Sequence, residues 1–179
     1  MSGGSRYCDR SRSDFLFHGR MRYNCATMAI EQTLILIKPD GAHRKLTGLT
    51  IDRLDATGLE MVGAKMLCVS DKLAREHYSS LSDKPFFEDL IKYIRGGYHG
   101  IKDSRILALV YRGENAIKAV RAVAGATNPE QAAPGTIRGS FGRMNSVTKQ
   151  FENVIHASSD PTDAAKEVAL WFKKEELVP

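Results

Sequence analysis

Apolar runs in this chain are short but dense. The segments LILI at 34–37 and ILALVY at 106–111 read as strands covered on both faces, and between them the apolar period switches to that of helices. The run TLILIK at 33–38 stops at Pro39, Asp40 and Gly41, which predicts a strand ending in a sharp turn. Leu46, Leu49 and Leu54 recur at helical spacing with Gly58 as a C-terminal cap, and 59–69 reads as the next strand. Ser70 caps a helix through Leu73, Ala74, His77, Tyr78 and Leu81. Pro85 opens another through Phe87, Leu90, Ile91 and Ile94, which Gly96 and Gly97 end.

After 106–111 a helix through Ala116, Ile117, Val120 and Val123 runs to Gly125. Val154 and Ile155 mark a short fourth strand, and residues 158–161 start a last helix through Ala165, Val168, Ala169 and Phe172. This order predicts an α/β sandwich of the ferredoxin-like kind, a four-stranded antiparallel sheet covered by helices. A doubly wound parallel sheet is the competing architecture. Segment 126–152 holds Pro129, Pro134, Gly135, Gly139 and Gly142 with only brief apolar patches, and reads as one long functional or disordered loop.

Composition narrows the function. The 179 residues suit one compact domain plus an appendage, and the apolar runs fall far short of the about 20 residues that span a membrane. Residues 1–27 hold five arginines against two aspartates, which leaves the remainder only +2 of the net +5. That remainder suits an anionic small molecule better than a nucleic acid, which stays a secondary partner. The arm is rich in Ser, Gly and Arg without periodicity. It reads as a disordered extension, with an organelle transit peptide or an upstream start as alternatives. Cys8, Cys25 and Cys68 have no metal-type spacing, and three thiols fit a reducing cytosol.

Neither a P-loop nor a dinucleotide fingerprint is present, so any phosphate must be held by side chains. Lys38 at the strand exit, Arg121, Thr127 and Arg138 within GTIRGSFG are the candidates, since guanidinium forks and an ammonium suit a polyphosphate. Surface cations are usually just solvated; Lys38 and Arg138 stand out by placement. Among the histidines only His156 sits on a buried strand, before what reads as the amide-rich start of the last helix, where anions are favoured. A neutral imidazole there is a competent nucleophile, and a buried structural histidine is the alternative. Phe86 and Phe87 offer a stacking surface, although periodicity favours core packing for both.

Taken together, TLILIKPDG at 33–41, HYSSLSDKPFF at 77–87, ATNPEQAAPGTIRGSF at 126–141, NVIHASSD at 153–160 and LWFKKEEL at 170–177 resemble the nucleoside diphosphate kinase family, over about 30–179. The resemblance implies a domain at 28–179 and a ping-pong transfer of the γ-phosphate of ATP or another triphosphate to a nucleoside diphosphate. It implies Mg²⁺ bridging the phosphates rather than bound by protein ligands. By motif, His156 resembles the phosphorylated nucleophile and Glu167 the carboxylate orienting it. Lys38, Tyr78, Arg121, Thr127, Arg138 and Asn153 resemble phosphate and sugar contacts, Phe86 the base-stacking residue, and Ser158 the serine beside the nucleophile. Stacking accommodates any base, because every base has a π-face. The family also implies a homo-oligomer, hexamer or tetramer, with Pro129 in an assembly loop.

Three departures stand out. Ala157 replaces the usual glycine after the histidine, Ser159 replaces the usual aspartate after the serine, and 97–105 and 142–152 are longer than the family pattern. A non-catalytic nucleotide or nucleic-acid binder is the competing class, with a structural assembly protein as a third option.

Overall fold

The computed structural model describes residues 29–100 and 105–179. The arm at 1–27 lies outside them. The chain runs β1 (Ile30–Ile37), α1 (Pro39–His43), α2 (Thr47–Asp55), β2 (Glu60–Cys68), α3 (Asp71–His77), α4 (Phe87–Ile94), β3 (Arg105–Glu114) and α5 (Ala116–Ala124). It continues with α6 (Ile137–Phe141), β4 (Arg143–Met144), β5 (Phe151–Glu152), β6 (Ile155–Ala157) and α7 (Pro161–Trp171).

β1, β2, β3 and β6 form one sheet in the order β2-β3-β1-β6, with every neighbouring pair antiparallel. This is the expected ferredoxin-like sandwich, and antiparallel pairing excludes the doubly wound alternative. Alternation along the strands explains the uninterrupted apolar runs. Leu34, Leu36, Ala108 and Val110 face α3, α4 and α7, whereas Ile35, Ile37, Leu109 and Tyr111 face α2, α5 and α6. Residues 33–37 of β1 are fully buried. β1 therefore runs through the centre of the molecule, and its C-terminal end is fixed from both sides.

Two expectations change. Segment 126–152 is not one structureless loop: it contains a 3₁₀ turn at Pro129–Gln131, the helix α6 capped by Thr136 onto the Gly139 N–H, and the hairpin β4–β5. The fourth strand starts at Ile155 rather than Val154, because Val154 takes φ of +69° and turns the chain before pairing begins. Among the described residues no helix is long and apolar enough to cross a membrane.

Candidate active site

The turn after β1 is what builds the site. Pro39 and Asp40 enter α1, and Asp40, fully buried, accepts hydrogen bonds from the Tyr93 hydroxyl at 2.5 Å and the Val154 N–H at 2.9 Å. The Lys38 N–H donates to the Val154 carbonyl at 2.8 Å. Val154 is thus held from both sides in a left-handed conformation that costs a β-branched residue on the order of 1–3 kcal/mol. Gly41 leaves room for it, since a Cβ there would lie 2.9 Å from Val154 Cγ1. The kink sets Asn153 toward Lys38 and delivers β6 to the edge of β1, where His156 pairs with Leu36.

A cavity of about 540 Å³ opens at this point. Lys38, Tyr78, Phe86, Arg121, Thr127, Arg138, Asn153, His156 and Glu167 all line it. Ser158 lies behind the wall, with no exposed surface. Lys38 Nζ donates to Asn153 Oδ1 at 2.8 Å, and Asn153 Nδ2 donates to the Thr127 carbonyl at 2.8 Å. Arg138 is 5% exposed and ties the Gly125 and Ile155 carbonyls at 2.9 and 3.1 Å. Its Nε and the Tyr78 hydroxyl are buried without a partner among the described residues. Unpaired donors in a cavity wall are costly unless something in the cavity accepts from them.

His156 Nε2 lies 2.9 Å from Glu167 Oε2, and Ser158 donates to the same oxygen at 2.6 Å while accepting the Leu34 N–H at 3.1 Å. A carboxylate only accepts, so the imidazole proton sits on Nε2 and the lone pair on Nδ1. Nδ1 has no hydrogen-bond partner among the described residues. Burial, then the fields of Lys38 and Arg138, hold the His156 pKa down at about 3, so the ring is neutral. Burial, then Arg138, lowers Lys38 to about 8 against the opposing pull of Asp40. Burial raises Glu167, opposed by its Ser158 hydrogen bond.

The helix start differs from the sequence picture. The Thr162 and Asp163 amides at the start of α7 are taken by the Asp160 side chain at 2.8 and 2.9 Å. Compensation for an anion at His156 thus falls to Lys38, Arg138 and Arg121. Of the departures, Ala157 sits in β6 opposite Ile35 without left-handed backbone, and Ser159 hydrogen-bonds Asp163. Phe87 is core at 8% exposure but Phe86 is 48% exposed on the cavity, which overturns the periodic assignment of both to the core.

Sequence reasoning missed Asp40 and His77. His77 packs edge-on against the His156 ring, 4.5 Å between centroids, and its Nδ1 accepts from the Trp171 indole at 3.1 Å. The helical spacing of His77 with Leu73, Ala74 and Leu81 is the signal the sequence offers. Among the described residues, His77, His156 and Glu167 form the one cluster with metal-ligand proximity. Its two imidazoles do not suit Mg²⁺, which prefers oxygen donors.

A family model described as nucleoside diphosphate kinase matches residues 31–177. The nucleoside diphosphate kinase of Archaeoglobus fulgidus is 44% identical over 149 residues, covering 83% of this chain and 91% of that protein. Nucleoside diphosphate kinase A of Mus musculus is 43% identical over 148 residues, covering 83% and 90%. The Halobacterium salinarum enzyme in complex with CDP superposes with a TM-score of 0.74 at 39% identity, covering 84% and 93%. A Borrelia burgdorferi enzyme with vanadate and ADP, a transition state mimic, gives 0.74 at 37%, covering 84% and 91%. With the same sandwich, a neutral histidine among cations, and a match over 83% of its length, the chain belongs to the nucleoside diphosphate kinase family.

Proposed function

We propose that the chain moves the γ-phosphate of a nucleoside triphosphate, typically ATP, to a nucleoside diphosphate through a phosphohistidine on His156. The observation that carries this is the contact of His156 Nε2 with the Glu167 carboxylate, which sets the proton on Nε2 and leaves Nδ1 unpaired in a cavity walled by Lys38, Arg121 and Arg138. In the first half-reaction Nδ1 forms a bond to the γ-phosphorus as the bond to the bridging oxygen breaks. The diphosphate leaves with that electron pair. The second half-reaction is the reverse, onto a different diphosphate. The proton stays on Nε2 throughout, and Glu167 stabilises the cationic character that the ring gains.

Lys38, Arg138 and Arg121 offset charge on the transferring oxygens, where positioning and charge compensation carry most of the rate. Tyr78 and Arg138 Nε supply the unpaired donors, Thr127 and Asn153 fix the sugar and phosphates, and Phe86 stacks on the base. Mg²⁺, arriving on the nucleotide, would neutralise its β- and γ-phosphate oxygens. We further infer a cytoplasmic homo-oligomer, hexameric or tetrameric, which light scattering tests.

The deciding assay is phosphate exchange between ATP and GDP with Mg²⁺, set beside salt-sensitive retention of DNA. Exchange with a covalent phosphoenzyme supports the kinase reading; DNA retention without exchange favours the nucleic-acid binder, and neither favours a structural protein.

The site also predicts a pH profile. An imidazole with its pKa at about 3 stays neutral as pH falls through 6.5, so ¹⁵N spectra should show the Nε2–H tautomer unchanged from pH 8 to 5. A titration midpoint near 6.5 contradicts this. On the alkaline side, Lys38 loses its charge as pH rises through about 8, and kcat/KM should fall there. The Lys38→Arg variant should lose that limb.

A further inference from the structure

Asn153 is a pivot of the phosphate end of the cavity, because its side chain joins Lys38 Nζ to the Thr127 carbonyl. On its downstream side the chain is fixed by Asp40, which accepts the Val154 N–H at 2.9 Å. On its upstream side stands a second buried carboxylate, which the transfer itself does not use. Glu152 is 1% exposed and accepts from Arg143 Nε and Asn145 Nδ2 at 2.6 Å each, while His99 Nε2 lies 3.0 Å from its Oε1. A carboxylate only accepts, so His99 donates through Nε2. Burial opposes ionisation of Glu152, but the bonds from Asn145, Arg143 and His99 outweigh it and hold the carboxyl below its usual range.

His99 carries the arrangement further. Its ring meets the Tyr93 ring edge-on, 5.7 Å between centroids, and the Tyr93 hydroxyl donates to Asp40 at 2.5 Å. Lys38 Nζ stands 5.5 Å from the centre of the same Tyr93 ring. The contacts therefore close on themselves: Glu152, His99, Tyr93, Asp40 and Val154 surround Asn153, and the Lys38 ammonium is held by Asn153 and Tyr93. An amide acceptor and an aromatic face together fix a stem that is otherwise flexible. The upstream clamp comes from the two stretches longer than the family pattern, His99 from 97–105 and Arg143, Asn145 and Glu152 from 142–152. A charge placed on a surface extension is ordinarily solvated, whereas this one is buried with its bonds made, one residue before a side chain of the site.

We propose that Glu152 and His99 are positioning residues for phosphoryl transfer, acting through Asn153 to hold the Lys38 ammonium at the transferring phosphate oxygens. The proposal rests on the kinase reading above and gives the two long stretches a part in it. Neither Glu152 nor His99 lines the cavity, so both act at one remove. Misplacing a catalytic group by about 1 Å costs on the order of 10²-fold in rate, and releasing one of its two holding contacts costs part of that.

Glu152→Gln removes the charge at nearly constant volume. In exchange between ATP and GDP it should lower kcat about tenfold and leave KM and the calorimetric affinity for ADP within about threefold. Binding persists because Arg138 is held by the Gly125 and Ile155 carbonyls instead. The same substitution in an Asn153→Ala background separates positioning from plain support of the fold. With Asn153 gone Glu152 has nothing to act through, so kcat should change by less than about twofold there, while the loss of Tm persists in both backgrounds. His99→Ala enters the ring of contacts from the other side and should repeat the pattern with a smaller loss of kcat; it carries the test if Glu152→Gln does not fold. Equal fold-losses of kcat in the two backgrounds overturn the proposal alone. So does a folded Glu152→Gln variant with lowered Tm and unchanged kcat, which would make the clamp a support of the fold and nothing more. If the unaltered chain shows no exchange, the proposal falls together with the kinase reading.

Discussion

Replacing His156 with Ala should abolish phosphate exchange, by at least about 10⁴-fold, while ADP and GDP still bind within severalfold of their normal affinity. The nucleophile is a single nitrogen, and nothing near it substitutes. His77, the adjacent imidazole, has its Nδ1 lone pair committed to the Trp171 indole and is itself buried. Lys38, Arg138, Asn153 and Phe86 do not depend on the His156 ring for their own contacts, so the binding surface survives. Ser158 keeps its bonds to Glu167 and Leu34. Incubation with γ-labelled ATP followed by denaturation should leave an acid-labile phosphate on the unaltered chain and none on the variant. Label on the variant would place the nucleophile elsewhere.

The same substitution has a signature in stability. An unfolded histidine takes up a proton near pH 6.5, whereas folded His156 does so only near 3, so the unfolded state binds more protons between those values. Stability from this residue is complete above 6.5 and is lost as pH falls. His77, held at about 3 chiefly by burial, adds a second loss of the same sign. His156→Ala should therefore show a gentler fall of Tm between pH 6.5 and 4 than the unaltered chain, with His77 contributing to what remains.

The legible parts of this molecule are those where one local cause fixes the outcome. Residues 34–37 are apolar because both faces of β1 are covered, and Ser70 and Asp160 cap helices through their own side chains. What stayed hidden depends on approach from far along the chain. Asp40 looks like a turn residue, and only the arrival of Val154, 114 positions later, makes it a buried clamp. The φ of Val154 has no local cause, since β-branched residues avoid that region, and so the start of β6 was misplaced by one residue. Phe86 and Phe87 are neighbours of equal hydrophobicity, and the cavity decides which one faces it. In 126–152 the many glycines and prolines masked the hairpin, because its strands are two residues each and are held mainly by the side chains around Glu152.

Arg138→Ala should reduce kcat/KM by about 10³-fold and also lower stability, because one side chain serves both ends of the argument. Its two terminal nitrogens hold the Gly125 and Ile155 carbonyls, which join the end of α5 to the strand that carries His156. Removing them leaves both acceptors underpaired in a buried setting, at roughly 2–5 kcal/mol in total. Arg138→Lys should recover part of the charge but not the two-pronged geometry, so binding should improve more than Tm. A third consequence separates a direct electrostatic role from mere unfolding. The Arg138 field lowers both Lys38 and His156, so its removal should move the alkaline limb of Lys38 above its position near pH 8. A folded Arg138→Ala variant with unchanged kinetics and an unmoved limb would take Arg138 out of the site.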